Sequence, residues 1–74
     1  MNKQRRKRIQ EIKKKLIVIK DELNSVLYEE QMVFDNMPEN LQCSIKGSES
    51  EDAIDILEEC SEDLEKIIDR LIEI

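Results

Sequence analysis

The chain has 74 residues and a formal net charge of −6, with 41% charged, 39% hydrophobic and 3% aromatic residues, one glycine, one proline and no histidine. This composition is too apolar for a disordered tail and too poor in glycine, proline and aromatic residues for a small β-barrel, so it favours long helices or a coiled coil. No apolar run approaches the roughly 18 residues of a membrane span. The sequence therefore predicts one all-α domain over residues 1–74, and we expect a cytoplasmic protein that does not contact a membrane.

The net charge conceals an uneven distribution along the chain. Residues 1–20 contain nine Lys or Arg and one acidic residue, whereas residues 21–74 contain seventeen acidic residues and three basic ones. The sequence therefore predicts a dipolar molecule with a basic start and an acidic body.

The first predicted helix runs from about residue 3 to residue 36. Glu30 occupies one position of its apolar stripe, and because an unpaired buried carboxylate is costly, we expect the stripe to drift past it through Leu27 and Phe34. The stripe itself follows alternating steps of three and four residues, a heptad pattern: Ile9, Ile12, Leu16, Ile19, Leu23, Val26, Val33 and Met37.

The connector is predicted over residues 37–49. Pro38 ends the first helix, because the residue before a proline is disfavoured in the α conformation. We expect one helical turn over residues 38–43, a connector that ends at Gly47, and Ser48 as the N-cap of the next helix. The polar residues of the connector either cap the helices and seal this end of the molecule or contact a ligand or partner: Asn36, Asn40 and Gln42.

The second predicted helix runs from about residue 49 to residue 73. Additional isoleucines widen its apolar stripe beyond the surface that one partner helix covers, so we expect the chain to form an antiparallel two-helix hairpin that associates into a helical bundle, most simply a dimer. The stripe steps by four and three: Ala53, Leu57, Cys60, Leu64, Ile67, Leu71 and Ile74.

A compact connector sets the expected register of the hairpin. If Phe34 lies near Asp52, then Lys20 lies beside Lys66 and Glu65, and Ile74 lies near Ile12. Residues 1–8 then overhang the end of the second helix without acidic neighbours on it.

The basic segment, residues 3–8, is the strongest candidate site. The planar guanidinium groups of Arg5, Arg6 and Arg8 suit bidentate recognition of phosphate or carboxylate. The alternatives are a solvated helix end and a strap across the acidic face of a partner subunit. Duplex DNA is a less suitable ligand, because the acidic body repels its phosphate backbone.

Catalytic and metal chemistry is not indicated. No nucleophile has a histidine base, and the carboxylate pairs follow helix surfaces. We expect Cys60 to be a small core residue and Cys43 to be partly exposed, with neither a metal nor a cofactor bound.

The connector motif Asp-Asn-Met-Pro-Glu-Asn-Leu-Gln at residues 35–42, followed by Ser44, Gly47 and Ala53 and then by Leu-Glu-Glu and Ile-Asp units, resembles a group of short helical-hairpin proteins of bacteriophages and prophages. The basic start at residues 2–7 is also similar. The resemblance implies a viral accessory protein that acts in the host cytoplasm and antagonises host machinery or antiviral defence by binding rather than by catalysis.

Two mechanisms suit such a protein. A homo-oligomer sequesters an anionic nucleotide signal, using arginines of the basic segment with the connector amides of a neighbouring subunit, or it blocks a host protein through its acidic helix or its basic end. The alternatives are a nucleic-acid-associated regulator that uses the basic segment and a purely structural coiled-coil assembly protein.

Overall fold

The computed structural model describes all 74 residues and contains three helices. Helix α1 spans Lys3–Asp35, α2 is the single turn Glu39–Gln42, and α3 spans Ile45–Ile72. Helices α1 and α3 pack side by side in opposite directions, which confirms the predicted antiparallel hairpin. No helix combines the length and the apolar character that crossing a membrane requires.

The ends of α1 follow from its flanking residues. The side chain of Asn2 caps the N-terminus, where its Oδ1 accepts a hydrogen bond from the backbone N–H of Arg5 at 2.9 Å. At the other end Asn36 is the C-cap, and its N–H donates to the carbonyl of Met32 at 3.1 Å. Pro38 follows two residues later, so α1 ends within one residue of the predicted position.

Helix α3 begins four residues earlier than predicted. Its N-cap is Ser44, whose hydroxyl accepts a hydrogen bond from the N–H of Gly47 at 3.3 Å. Ser48 lies inside the helix, and its N–H donates to the carbonyl of Ser44 at 2.9 Å. The prediction of Ser48 as the cap was therefore wrong, because two serines offer similar caps and the short turn of α2 reverses the chain before the first of them. The connector spans residues 36–44, not 37–49, and the helical turn expected over residues 38–43 is α2.

Gly47 allows α2 to lie close to the start of α3. A Cβ atom at this position would lie 2.3 Å from the carbonyl oxygen of Gln42 and 2.4 Å from that of Leu41. These distances are too short for any side chain. Glycine is therefore needed here for close packing inside a helix, and not to end the connector.

The line of contact between α1 and α3, called the seam, contains about half of the residues of the two predicted apolar stripes. The α1 residues that are partly shielded along α3 are Ile9, Lys13, Leu16, Lys20, Leu23, Leu27, Glu30 and Phe34, and Met37 of the connector is shielded as well. Those of α3 are Gly47, Ser50, Ile54, Leu57, Ser61, Leu64, Ile68 and Leu71. The other half of each predicted stripe is displaced by one residue, because each helix carries two overlapping apolar stripes and one partner helix covers only one of them.

The displacement exposes residues that the sequence pattern placed in the core. Ile12, Ile19, Val26 and Val33 are 47%, 49%, 52% and 54% exposed. On α3, Ile67 is 49% exposed, and Cys60 is exposed rather than a core residue. Cys43 is also exposed.

Glu30 is retained in the seam. It is half-buried, and its Oε1 accepts a hydrogen bond of 2.6 Å from the hydroxyl of Ser50, which is 6% exposed. Leu27 and Phe34 lie on the seam as predicted, but the stripe does not bypass Glu30, since α3 supplies a donor for the carboxylate.

The hairpin has a thin core. Ile54 and Ile68 are its only buried hydrophobic residues, with exposures of 5% and 8%. The radius of gyration is 17.1 Å, whereas a compact domain of this length has about 11 Å. The accessible surface is 6,084 Å², against about 4,800 Å² for a compact monomer of this mass. The single chain therefore exposes surface that a compact domain would bury.

Candidate functional site: a basic end and an apolar face

The hairpin has a closed end at the connector and an open end where the chain termini lie. At the open end Ile74 lines a cleft together with Arg6, Ile9, Gln10 and Lys13 of α1. Because a helix rises 1.5 Å per residue, residues 1–5 project about 7 Å beyond Arg6. An overhang is therefore present, but it is shorter than the predicted residues 1–8, because Arg6 lies beside Ile74.

The basic segment has no acidic partner within the chain. The structure contains one ion pair, between Lys20 Nζ and Glu65 Oε2 at 3.2 Å, and Glu65 is one of the two residues expected beside Lys20. Arg5, Arg6 and Arg8 are exposed, and the only side-chain hydrogen bond among them joins Arg5 Nε to Asn2 Oδ1 at 3.4 Å. The open end therefore carries unneutralised positive charge.

The three arginines lie on two different sides of α1. Arg5 and Arg8 line a shallow groove together with Met1, Ile9 and Ile12. Arg6 instead lies in the cleft beside Ile74. A single chain therefore presents Arg5 and Arg8 together and separates Arg6 from them.

The connector amides lie at the closed end of a molecule that is 58 Å long. Gln42 is half-buried, and its Nε2 donates to the carbonyl of Phe34 at 2.9 Å, so this side chain holds the connector against α1. Asn36 and Asn40 are exposed. Arg5 and Asn36 are about 46 Å apart along α1, so one chain does not bring the predicted site residues together.

An apolar face runs along one side of the hairpin. Two polar contacts mark the other side, namely Lys20–Glu65 and the 2.6 Å hydrogen bond from Ser61 Oγ to Asn24 Oδ1. Val26 is two residues from Asn24 and Ile67 is two residues from Glu65, a rotation of about 200° around a helix. Both exposed stripes therefore lie opposite the polar contacts, on the same face. This apolar face consists of Ile12, Ile19, Val26 and Val33 of α1 and Ala53, Cys60 and Ile67 of α3.

A cleft near the closed end supports this assignment. Val33 and Met37 line it together with Lys46, Glu49 and Ser50 of α3. The apolar stripe of α1 therefore shares its surface with the side of α3 that carries Lys46, which is seven residues before Ala53.

The opposite face is polar and acidic. It carries Gln10, Asn24 and Gln31 on α1 and Glu51, Glu58 and Glu65 on α3, with Ile17 and Ile72 as the apolar exceptions near the open end. The excess of isoleucine on the second helix indicates an additional apolar surface. It does not show which residues lie on the apolar face and which on the polar face.

The two cysteines are free. No three side chains of His, Cys, Asp or Glu are grouped so that they could hold a metal ion.

Comparison with known proteins adds no relative: no protein-family model matches the chain, and neither a curated protein nor a solved structure is significantly similar to it.

Proposed function

We propose that the protein is a non-enzymatic, homo-oligomeric binding protein that takes an anionic ligand at its basic segment. The observation that carries this proposal is the projecting open end, where exposed arginines have no acidic partner. An unpaired guanidinium offers a planar fork of donors to phosphate or carboxylate. The groove that joins Arg5 and Arg8 to Met1 and Ile12 adds an apolar wall beside this charge.

A small nucleotide fits this end better than duplex DNA. The chain beyond residue 20 carries a net charge of −14, which repels an extended phosphate backbone. A nucleotide signal that reaches only the open end avoids most of that repulsion. The connector motif, which resembles phage-encoded hairpin proteins, supports a role in the host cytoplasm that antagonises host machinery or antiviral defence by sequestering such a signal.

A second candidate is the blocking of a host protein by the acidic face. Glu51, Glu58 and Glu65 lie seven residues apart along α3 and present carboxylates at regular spacing. Such a row resembles the charge pattern of a nucleic-acid backbone and suits a basic partner surface.

Self-association supports both candidates. The thin core and the exposed apolar face leave a single chain with more apolar surface than a stable small domain normally exposes.

Native mass spectrometry of the protein purified from phage-infected host cells tests the ligand directly. We expect an oligomer with additional mass in the nucleotide range. Affinity for the retained compound should fall at least about tenfold in the double variant Arg5→Gln/Arg8→Gln, which loses two charge-assisted contacts. The control Lys14→Gln/Lys66→Gln removes the same formal charge outside the basic segment and should retain the ligand.

Equal retention by both double variants would contradict a site at the basic segment. A bare oligomer would contradict sequestration and favour the host-protein candidate. Pull-down from host lysate then tests that candidate, with the wild-type protein compared with a variant that lacks the carboxylates of Glu51, Glu58 and Glu65. Binding of nucleic acid with a steep dependence on salt would instead favour a nucleic-acid-associated regulator.

A further inference from the structure

The apolar face is large for a single chain. From Ile12 to Val33 it extends about 32 Å, and two adjacent helices are about 20 Å wide, so it covers on the order of 600 Å². This value is at the upper end of the largest apolar patches on ordinary monomers. Two such faces in contact would bury roughly 1,200 Å² in total, which reaches the size of specific protein interfaces.

The face is self-complementary when a second copy lies on it in the reverse direction. A two-fold axis across the middle of the hairpin brings α1 antiparallel to α1 of the second copy. Ile12 then lies opposite Val33 of the second copy, and Ile19 lies opposite Val26. On α3 the same axis places Ile67 opposite Cys60. Every residue of the α1 stripe therefore meets an apolar residue of the other copy.

The charges beside the face distinguish this arrangement from one in which both copies point the same way. Arg5, Arg8, Lys15 and Arg70 flank the face towards the open end, whereas Glu29, Glu30 and Glu49 flank it towards the closed end, with Lys46 as the exception. Copies that point the same way would place Lys15 beside Arg70. Reversed copies place Lys15 beside Glu29. Glu22 and Asp63 lie at mid-length and meet acidic groups in either orientation, so they do not discriminate.

We propose that a second copy of this chain packs on the apolar face in the reverse orientation, with the open end of each copy over the closed end of the other. This inference rests on the proposed self-association, and not on the proposed ligand. The dimer brings Arg5 and Arg8 of one copy over Asn36 and Asn40 of the other. Arginines and amides that lie about 46 Å apart in one chain then form a composite anion site at each end of the dimer.

A matched pair of charged substitutions tests the face. Ile19 and Ile17 lie two residues apart on α1, with exposures of 49% and 43%, but Ile17 lies on the opposite, polar face. Ile19→Asp should raise the dissociation constant of the dimer at least about 100-fold, because each dimer loses two buried isoleucines and gains two buried carboxylates. Ile17→Asp should leave the mass measured by sedimentation unchanged. Equal weakening by both variants would overturn the assignment of the face.

The native Cys43, which lies in the connector, tests the orientation with only one conservative change in the apolar face. Cys60 is replaced by alanine, and a spin label on Cys43 reports the distance between the closed ends of the two copies by pulsed electron paramagnetic resonance. Reversed copies separate the two labels by on the order of 50 Å, whereas copies that point the same way hold them within about 20 Å.

The outcomes distinguish self-association from the orientation of the two copies. A dimer with the long distance supports the reversed arrangement. A dimer with the short distance overturns this inference and leaves self-association standing. A monomer at all accessible concentrations overturns both. Because Cys43 lies in the connector and Cys60→Ala keeps a small apolar side chain in the face, this measurement remains decisive even where Ile19→Asp fails to fold.

Discussion

Replacing Gly47 with alanine tests how closely the connector approaches α3. The new Cβ would lie 2.3 Å from the carbonyl oxygen of Gln42, whereas ordinary contacts begin at 3.4 Å. The connector would have to retreat by about 1 Å, and the hydrogen bond from Gln42 Nε2 to the carbonyl of Phe34 opposes that movement. Overpacking of this kind costs about 1–3 kcal/mol.

The higher helix propensity of alanine reduces the net loss of stability. Gly47 lies in α3, and alanine in place of glycine within a helix stabilises by about 1 kcal/mol. The atoms that the new Cβ would contact belong to the backbone, which cannot rotate away as a side chain would. The overpacking cost should therefore lie in the upper part of its range, about 2–3 kcal/mol, and the net loss should be about 1–2 kcal/mol.

Urea unfolding followed by far-ultraviolet circular dichroism measures this loss. With a slope of about 1 kcal/mol per molar urea, the midpoint should fall by about 1–2 M at a fixed protein concentration. The control Ser48→Ala lies in the same turn of α3 but is exposed, so it should stabilise by a few tenths of a kcal/mol through helix propensity alone. A midpoint for Gly47→Ala equal to or above that of the wild type would refute the close approach.

Three further substitutions test individual polar contacts by the same unfolding assay. Ser44→Ala removes the N-cap of α3 and should cost about 1 kcal/mol, and an unchanged midpoint would contradict its capping role. Ser50→Ala leaves the half-buried carboxylate of Glu30 without its donor and should cost about 1–3 kcal/mol, most of which should return when Glu30→Leu is added. A double-mutant cycle on Lys20 and Glu65 should give a coupling energy below about 1 kcal/mol, because the Glu65 side chain is 62% exposed, and a value of several kcal/mol would contradict the solvent-screened geometry.

The helix ends show which boundaries a local sequence pattern predicts. Pro38 restricts the residue before it, so the end of α1 was predictable to within one residue. The start of α3 was not, because Ser44 and Ser48 both satisfy the chemistry of an N-cap. With Ser44 as the N-cap, α2 lies close to Gly47. This contact is between two helices, so a local sequence pattern does not predict it.

The candidate site depends on tertiary structure to a greater degree. The basic segment and its unpaired charge follow from the composition of residues 1–20 alone. Arg5 and Arg8 lie on one side of α1 and Arg6 lies on another, beside the end of the chain that follows α3. Gln42, which sequence reasoning offered as a ligand contact, has its amide donor engaged by the carbonyl of Phe34.

By itself the sequence determined that this protein is an antiparallel hairpin of two long helices, with Glu65 as one of two residues expected beside Lys20 and with a basic overhang that is shorter than expected. These features follow from the spacing of apolar residues, from one proline and from the lengths of the helices. Only the tertiary structure decided which apolar residues form the seam and which form the exposed face. Each helix carries two overlapping stripes with the same seven-residue period, so periodicity does not distinguish them. The choice depends on the side chains that meet across the seam, such as Ser50 with Glu30.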